Sequence, residues 1–201
     1  MDTPTSPLLS LLSALAPGPL PETDRVRDAL QVRKHPAGAT VFLQDTAHPH
    51  VHAVRSGLVK LAYLGEDGNE WIKSFVAEGG FFASLAALSP GGRTTFLAET
   101  LEPSCIEGVA HAVLDDLASR HLVWSRALQA LSMKHAARKE QRERELLTLD
   151  AEARYRRFVA DQPGLCGRIP QKDLARHLGV TPVGFNRIVK RVRLASGRLS
   201  D

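Results

Sequence analysis

From His111 to Leu149 the chain reads HAVLDDLASRHLVWSRALQALSMKHAARKEQRERELLTL, 39 residues without a glycine or proline. Strong helix formers dominate it, and nothing in it ends a helix cheaply. The spacing predicts a short helix, a bend near His121 and a long helix reaching about Leu149. Leu128, Leu131, His135, Arg138, Arg142 and Leu149 fall near heptad spacing, apolar early and charged later. A long helix with one apolar stripe outside a small domain usually finds a partner helix. A parallel homodimer is therefore expected, with Leu128 and Leu131 opening its seam.

The segment ahead of this helix has another texture. From Val32 to Ile106, short runs such as TVFLQ, VHAVRSGLVKLAYL and EWIKSFV are rich in β-branched and aromatic residues, with turn signals between them. GEDGNE reads as a hairpin turn, Asp67-Gly68 being a favoured two-residue loop. Many short strands of this kind predict a sandwich or jelly-roll barrel. Nearer the N-terminus, SPLLSLLSALAP reads as a short amphipathic helix closed by prolines. It lacks a basic leader, so a signal peptide is not expected.

The C-terminal segment carries a sharper signal. In QKDLARHLGVTPVGFNRIVKR, Leu174, Ala175 and Leu178 share one face of a first helix. Gly179 supplies the left-handed residue that stops it. Thr181 and Pro182 form an N-cap and first position of a second helix, whose buried period is Phe185, Ile188, Val189 and Val192. This is the sequence form of a helix-turn-helix, a motif that lays its second helix in the DNA major groove. Charge agrees. The net charge is +4 overall, but residues 134–201 carry 16 Lys/Arg against 8 Asp/Glu, while residues 1–133 carry 10 against 14. A basic end suits phosphate contacts, whose affinity comes largely from counterion release.

Other classes are disfavoured. No apolar run approaches the ~20 residues needed to span a bilayer, so no membrane partner is expected. Cys105 and Cys166 stand far apart with no CxxC, which suits a reducing cytoplasm and excludes a four-cysteine zinc or iron–sulfur site. No nucleophile–base or paired-carboxylate spacing points to an enzyme.

The order of barrel, long helix and helix-turn-helix resembles the cyclic-AMP receptor/fumarate-nitrate regulator (Crp/Fnr) family of transcription factors. The resemblance rests on PAGATVFLQD, VHAVRSGLVKLAYLGEDGNEWIKSF, FFASLAALSPGGRTT, LLTLDAEARYRRFVADQPGL and IPQKDLARHLGVTPVGFNRIVKR in the correct order. It implies an α+β fold: a cyclic-nucleotide-binding-like β-roll at 1–121, a long dimerisation helix at 122–149, and a DNA-binding helix-turn-helix at 150–201. Since few residues remain after Arg193, the family's wing is expected to be truncated or absent. The implied partners are double-stranded DNA, a second copy of the chain and RNA polymerase, in the cytoplasm. Position by position, the resemblance places Pro182, Val183, Asn186 and Arg187 toward the groove, with Thr181 capping the helix. Gln171, Lys190 and Arg191 would hold it on the backbone. Arg187 is the candidate for a bidentate guanine contact. Val183 stands where many relatives carry a polar reader, so a different target sequence is expected.

The effector site departs from the family. Cyclic-nucleotide binders carry Gly-Glu-Leu…Arg-Ser/Thr, the Glu accepting the ribose hydroxyl and the Arg pairing the phosphate. Here Leu85, Arg93 and Thr94 remain, but Ala83 and Ser84 replace Gly-Glu. Losing that carboxylate forfeits a charge-assisted hydrogen bond of roughly 1.5–3 kcal/mol, so cyclic AMP is not the expected effector. No cofactor is certain. Ser84, Leu85, Arg93 and Thr94 remain candidates for holding a small anionic effector in the β-roll. A separate feature, HPHVH, puts His48, His50 and His52 at alternate positions, one face of a strand. The plain reading is the polar start of a strand. The alternative is a metal site, in a metal-responsive regulator or a jelly-roll metalloprotein.

Overall fold

The computed structural model describes residues 6–197, with side chains as far as Val192. Among these residues the chain opens with α1 (Pro7–Leu15) and α2 (Thr23–Ala29). Pro7 takes the first turn of α1, and Ser6 caps it by accepting the Leu9 N–H. Eight antiparallel strands come next: β1 (Gln31–His35), β2 (Thr40–Phe42), β3 (His50–Ser56), β4 (Val59–Leu64), β5 (Glu70–Val76), β6 (Phe81–Phe82), β7 (Leu97–Thr100) and β8 (Ser104–Ala110). A short α3 (Leu85–Leu88) lies between β6 and β7. Then come α4 (His111–Arg120), α5 (Leu122–Thr148), α6 (Ala151–Asp161), α7 (Gln171–His177) and α8 (Pro182–Gly197).

The strands form two sheets ordered β1-β8-β3-β6 and β2-β7-β4-β5, which face each other as a roll. Its interior is filled by Phe42, Val54, Val59, Leu61, Phe82, Phe96, Ala98 and Ile106. Side chains alternate across a strand, so β3 and β8 turn Val51, Ala53 and Val109 outward. These meet α1, α4 and α5 in a second core around Leu8, Leu12, Leu114, Leu117 and Trp124. At the turn from β3 to β4, Gly57 sits at φ +97, and a Cβ there would lie 2.2 Å from Ser104 Oγ. Only glycine fits. The expected two-residue β4–β5 hairpin is instead a five-residue loop, Gly65 to Asn69, closed by the Gly65 N–H on the Asn69 carbonyl.

The break between α4 and α5 falls at His121, which adopts extended angles as the sequence suggested. The dimer seam needs correction. Leu131 is buried with Trp124 and Ala127 in the core shared with α1, and Leu128 packs against the same cluster. That stripe covers the chain's own roll. Farther along, Arg142 also turns inward, donating to the carbonyls of Ile72 and His177. The large apolar side chains that α5 leaves exposed are Leu122, Met133, Leu146 and Leu147.

The α6–α8 segment packs around Phe158, Leu165, Ile169, Leu174, Ala175, Leu178, Phe185 and Val189, and Leu58 of the roll completes that cluster. The wing expected to be truncated or absent falls on residues 194–201. There α8 continues as helix to Gly197, and 198–201 lie outside the described residues.

Candidate nucleic-acid interface and effector region

Local chemistry builds the α7–α8 corner. Pro170 precedes α7, and Gly179 ends it at φ +70, its N–H reaching the Arg176 carbonyl. The Val180 N–H returns to the Ala175 carbonyl at 3.0 Å. Thr181 then caps α8, its hydroxyl accepting the Gly184 N–H at 3.1 Å while its carbonyl accepts from Phe185. Arg154 of α6 donates to the Leu178 and Leu149 carbonyls, tying the helix ends together. The corner is thus held by backbone caps, not by its outer side chains.

Phe185, Ile188 and Val189 face the core of this segment, so the opposite face of α8 meets solvent. It carries Pro182, Val183, Asn186, Arg187 and Lys190, all exposed; Val183, Arg187 and Lys190 recur at helical spacing. Thr181 and Gln171 are exposed beside it. Among the described residues, no carboxylate lies within ion-pairing distance of Arg187 or Lys190. Arg191 differs, with Nε 2.8 Å from Glu152, which also pairs with Arg156.

The corner is docked on the roll. Arg176 pairs with Glu70 of β5 at 2.8 Å, and Glu70 in turn holds the buried Lys60 at 2.7 Å. Arg168 bridges Glu78 and Glu102, and these contacts hold the Glu78 carboxyl down at about 2. The imidazole of His177 is enclosed between α5 and β5. Arg142 donates to its Nε2 at 3.1 Å, so its Nδ1 carries the proton and faces the Ile72 carbonyl at 3.4 Å. Burial first, and Arg142 second, push its pKa down to about 3, consistent with that neutral tautomer.

The four effector candidates are largely committed to the chain itself. The buried Ser84 hydroxyl accepts the Thr95 N–H at 3.1 Å. Thr94 donates its hydroxyl to the Leu43 carbonyl and accepts the Thr46 N–H, stapling a loop. Arg93 grips Asp45 through its carboxylate and carbonyl. Leu85 is exposed. Sequence reasoning missed Lys73, whose ammonium lies 3.9 Å from the Phe96 ring centroid. Burial, and then nearby Lys139, push its pKa down to about 8.

His48, His50 and His52 do come together. Strand β3 begins only at His50, after Pro49, but the His50 N–H turns back to the His48 carbonyl and keeps His48 beside it. Nε2 of His48 and of His52 are 2.8 Å apart, with ring centroids at 5.1 Å and planes within 7°. Those values describe two rings pointing tip to tip in one plane, an N–H···N hydrogen bond between neutral imidazoles. Metal ligation needs lone pairs that converge on an ion, and among the described residues no group of three such side chains is arranged to hold one. What the sequence did not reveal is that β1 brings Gln31, Arg33 and His35 to the same cavity. Their period-two spacing was the available signal.

Comparison with known proteins places this geometry. Residues 32–121 match the family described as cyclic nucleotide-binding domain. No curated protein sequence matches the chain. Solved structures share the fold. FixK2 from Bradyrhizobium japonicum superposes with a TM-score of 0.74 at 19% identity, covering 83% of this chain and 86% of its own. The c-di-GMP responsive global regulator CLP of Xanthomonas campestris reaches 0.68 at 18% identity, covering 87% and 91%. The catabolite activator protein of Thermus thermophilus reaches 0.55 at 22% identity, covering 95% and 88%.

Proposed function

We propose that this chain, which contains a cyclic-nucleotide-binding-type roll and has the fold of Crp/Fnr regulators, is a homodimeric, sequence-specific DNA-binding regulator of transcription. One observation carries the reading. The α7–turn–α8 corner is rigidly capped, and it presents Val183, Asn186, Arg187 and Lys190 on one exposed face of α8. In this reading α8 lies in the major groove, where Arg187 donates two hydrogen bonds to a guanine and Asn186 reads an adenine or a phosphate. Val183 offers a thymine methyl only apolar contact. Gln171 and Lys190 hold phosphates, and Arg191, anchored on Glu152, orients α8 more than it contacts DNA. Labour divides along the chain as roll at 1–121, long helix at 122–149 and DNA-binding segment at 150–201. The protein acts in the cytoplasm and, as a regulator, works on RNA polymerase. Its second copy pairs along α5 through the exposed side carrying Met133 and Leu147.

Cyclic AMP is not the effector in this reading, because Ser84 is neutral and already bonded to Thr95. Arg93 and Thr94 become available to an anion only by releasing Asp45 and Leu43. The test is selection from random DNA with the wild type and Arg187→Ala. The variant should lose roughly 1–3 kcal/mol on the selected site and relax one base position in each half-site. An unchanged consensus and affinity would refute the assignment.

A further inference from the structure

The histidine cavity lies in the roll, outside the α7–α8 corner, and none of the four effector candidates lines it. Its volume is about 120 Å³, and its lining comes from four strands and one loop. Edge strand β1 turns in Gln31, Arg33 and His35; the β2–β3 loop brings His48; β3 brings His50 and His52; Val41, Ile106 and Gly108 supply the apolar remainder. A water needs roughly 10–15 Å³ of such space, so the cavity admits several waters or a small oxyanion. His48 and His52 rest on Phe42, and His52 also on Phe82, at the polar end of the aromatic core. Opposite His52, Gly108 leaves open the place where a Cβ would stand 2.6 Å from Nδ1.

The lining is one-sided in its chemistry. Every titratable group is a base: Arg33, His35, His48, His50 and His52. Among the described residues no carboxylate lines the cavity, and the Arg33 guanidinium is bonded to Gln31 with N–H groups to spare. The Nδ1 atoms of His50 and His52 are buried with no hydrogen-bond partner among the described residues, although His52 is only 8% exposed. Buried polar atoms are rarely left so. The cluster is electrostatically frustrated: burial first, then neighbouring imidazoles, push His52 down to about 3, while burial and Arg33 also lower His35 and His50. A bound negative charge would accept from these nitrogens once protonated and offset the repulsion among the clustered bases.

We infer that this cavity is a binding site for a small oxyanion, a phosphate, sulfate or carboxylate group, held by Arg33 and by imidazoles that take up a proton as it binds. Inorganic sulfate is the suitable probe, because it keeps its charge across the range in which histidines titrate. Burial lowers the pKa of His48, His50 and His52, and an anion beside them favours the imidazolium form. Affinity therefore rises as pH falls from about 7 toward 5, by up to about tenfold per pH unit for each proton taken up.

The experiment monitors the histidine side-chain nitrogens of the full chain by NMR during sulfate titration at pH 5.5, 6.5 and 7.5. Ionic strength is held with chloride. The expected result is saturable movement of the His48, His50 and His52 signals, tighter at lower pH. Arg33→Gln should weaken it about tenfold or more, and His50→Gln should reduce the pH dependence. Arg187→Gln, on the remote α8 face, should change neither. Histidine signals unmoved by sulfate would overturn the inference, as would an Arg33→Gln response equal to the wild type. Titration with zinc or nickel supplies a further arm: tight saturable binding at these imidazoles, with no sulfate response, would make the cavity a metal site and refute the anion assignment.

Discussion

Glu107 offers the sharpest test of how the roll holds its helical cover. Its side chain is fully buried on the outer face of β8. One oxygen accepts the Ser6 hydroxyl at 2.6 Å and the Leu8 N–H at 2.8 Å, and the other accepts Arg55 Nε at 2.7 Å. One carboxylate thus anchors the start of α1 and neutralises an arginine. Glu107→Gln keeps an oxygen for Ser6 and Leu8 but turns an amide N–H₂ toward the guanidinium. Removing one partner of a buried ion pair costs about 3–5 kcal/mol, because the other charge is left uncompensated. The Arg55 side chain is 19% exposed and can recover some water, so the cost should fall near the lower end, about 3 kcal/mol. For a chain of this length that corresponds to roughly 6–12 °C in Tm. Urea unfolding monitored by Trp124 fluorescence reports it, since that indole is buried on α5 with its N–H on the Pro21 carbonyl. Adding Arg55→Met removes the stranded charge, so the double variant should be more stable than Glu107→Gln alone. Two outcomes would refute the reasoning. One is a Glu107→Gln loss within about 0.5 kcal/mol, below the scale set by a buried ion pair. The other is a double variant whose losses simply add.

Two further perturbations separate neighbouring roles. Leu131→Ala should destabilise the fold by about 2–5 kcal/mol through its cavity, whereas Met133→Glu, on the exposed side of α5, should split the proposed dimer and leave the fold intact. Sedimentation beside urea denaturation checks both, and an unchanged dimer for Met133→Glu would move the interface elsewhere. Gly179→Ala should cost about 1–2 kcal/mol from its left-handed backbone alone, because the added Cβ finds only Arg154, at 3.9 Å. A calorimetric melt of that variant with no loss would mean that the corner relaxes.

The corner was readable because its signals are local. Gly179, Thr181 and Pro182 act within a few residues of themselves, and the α4–α5 break at His121 shows equally in a short window. The seam on α5 was not readable in this way. A heptad identifies an apolar stripe but not what covers it, and α1, more than a hundred residues earlier, reaches Leu131 first. The surroundings of the effector candidates were hidden in the same way: Asp45, which the fold brings beside Arg93, lies 48 residues earlier in the chain. The alternate histidines of β3 were visible as one face. Their companions Arg33 and His35 arrive only through the pairing of β1 and β3 on either side of β8, which no local pattern encodes.

Leu58 gives the architecture a thermodynamic consequence. This residue of the β3–β4 turn is fully buried, and its neighbours are Phe158, Leu165, Ile169 and the α7–α8 core, with Phe75 and Leu101 beside it. Lifting α6–α8 away from the roll would wet Leu58 and its neighbours together, and each large apolar side chain exposed costs about 1.5–3 kcal/mol. The Arg168 bridges and the Arg142–His177 contact would break in the same movement. Partial opening is therefore steeply penalised, and the roll and α6–α8 should lose protection against amide hydrogen exchange in one cooperative event. A signal that repositions α8 has to act on this shared core, so its free-energy scale is set by a few apolar side chains and not by the short junction between α5 and α6.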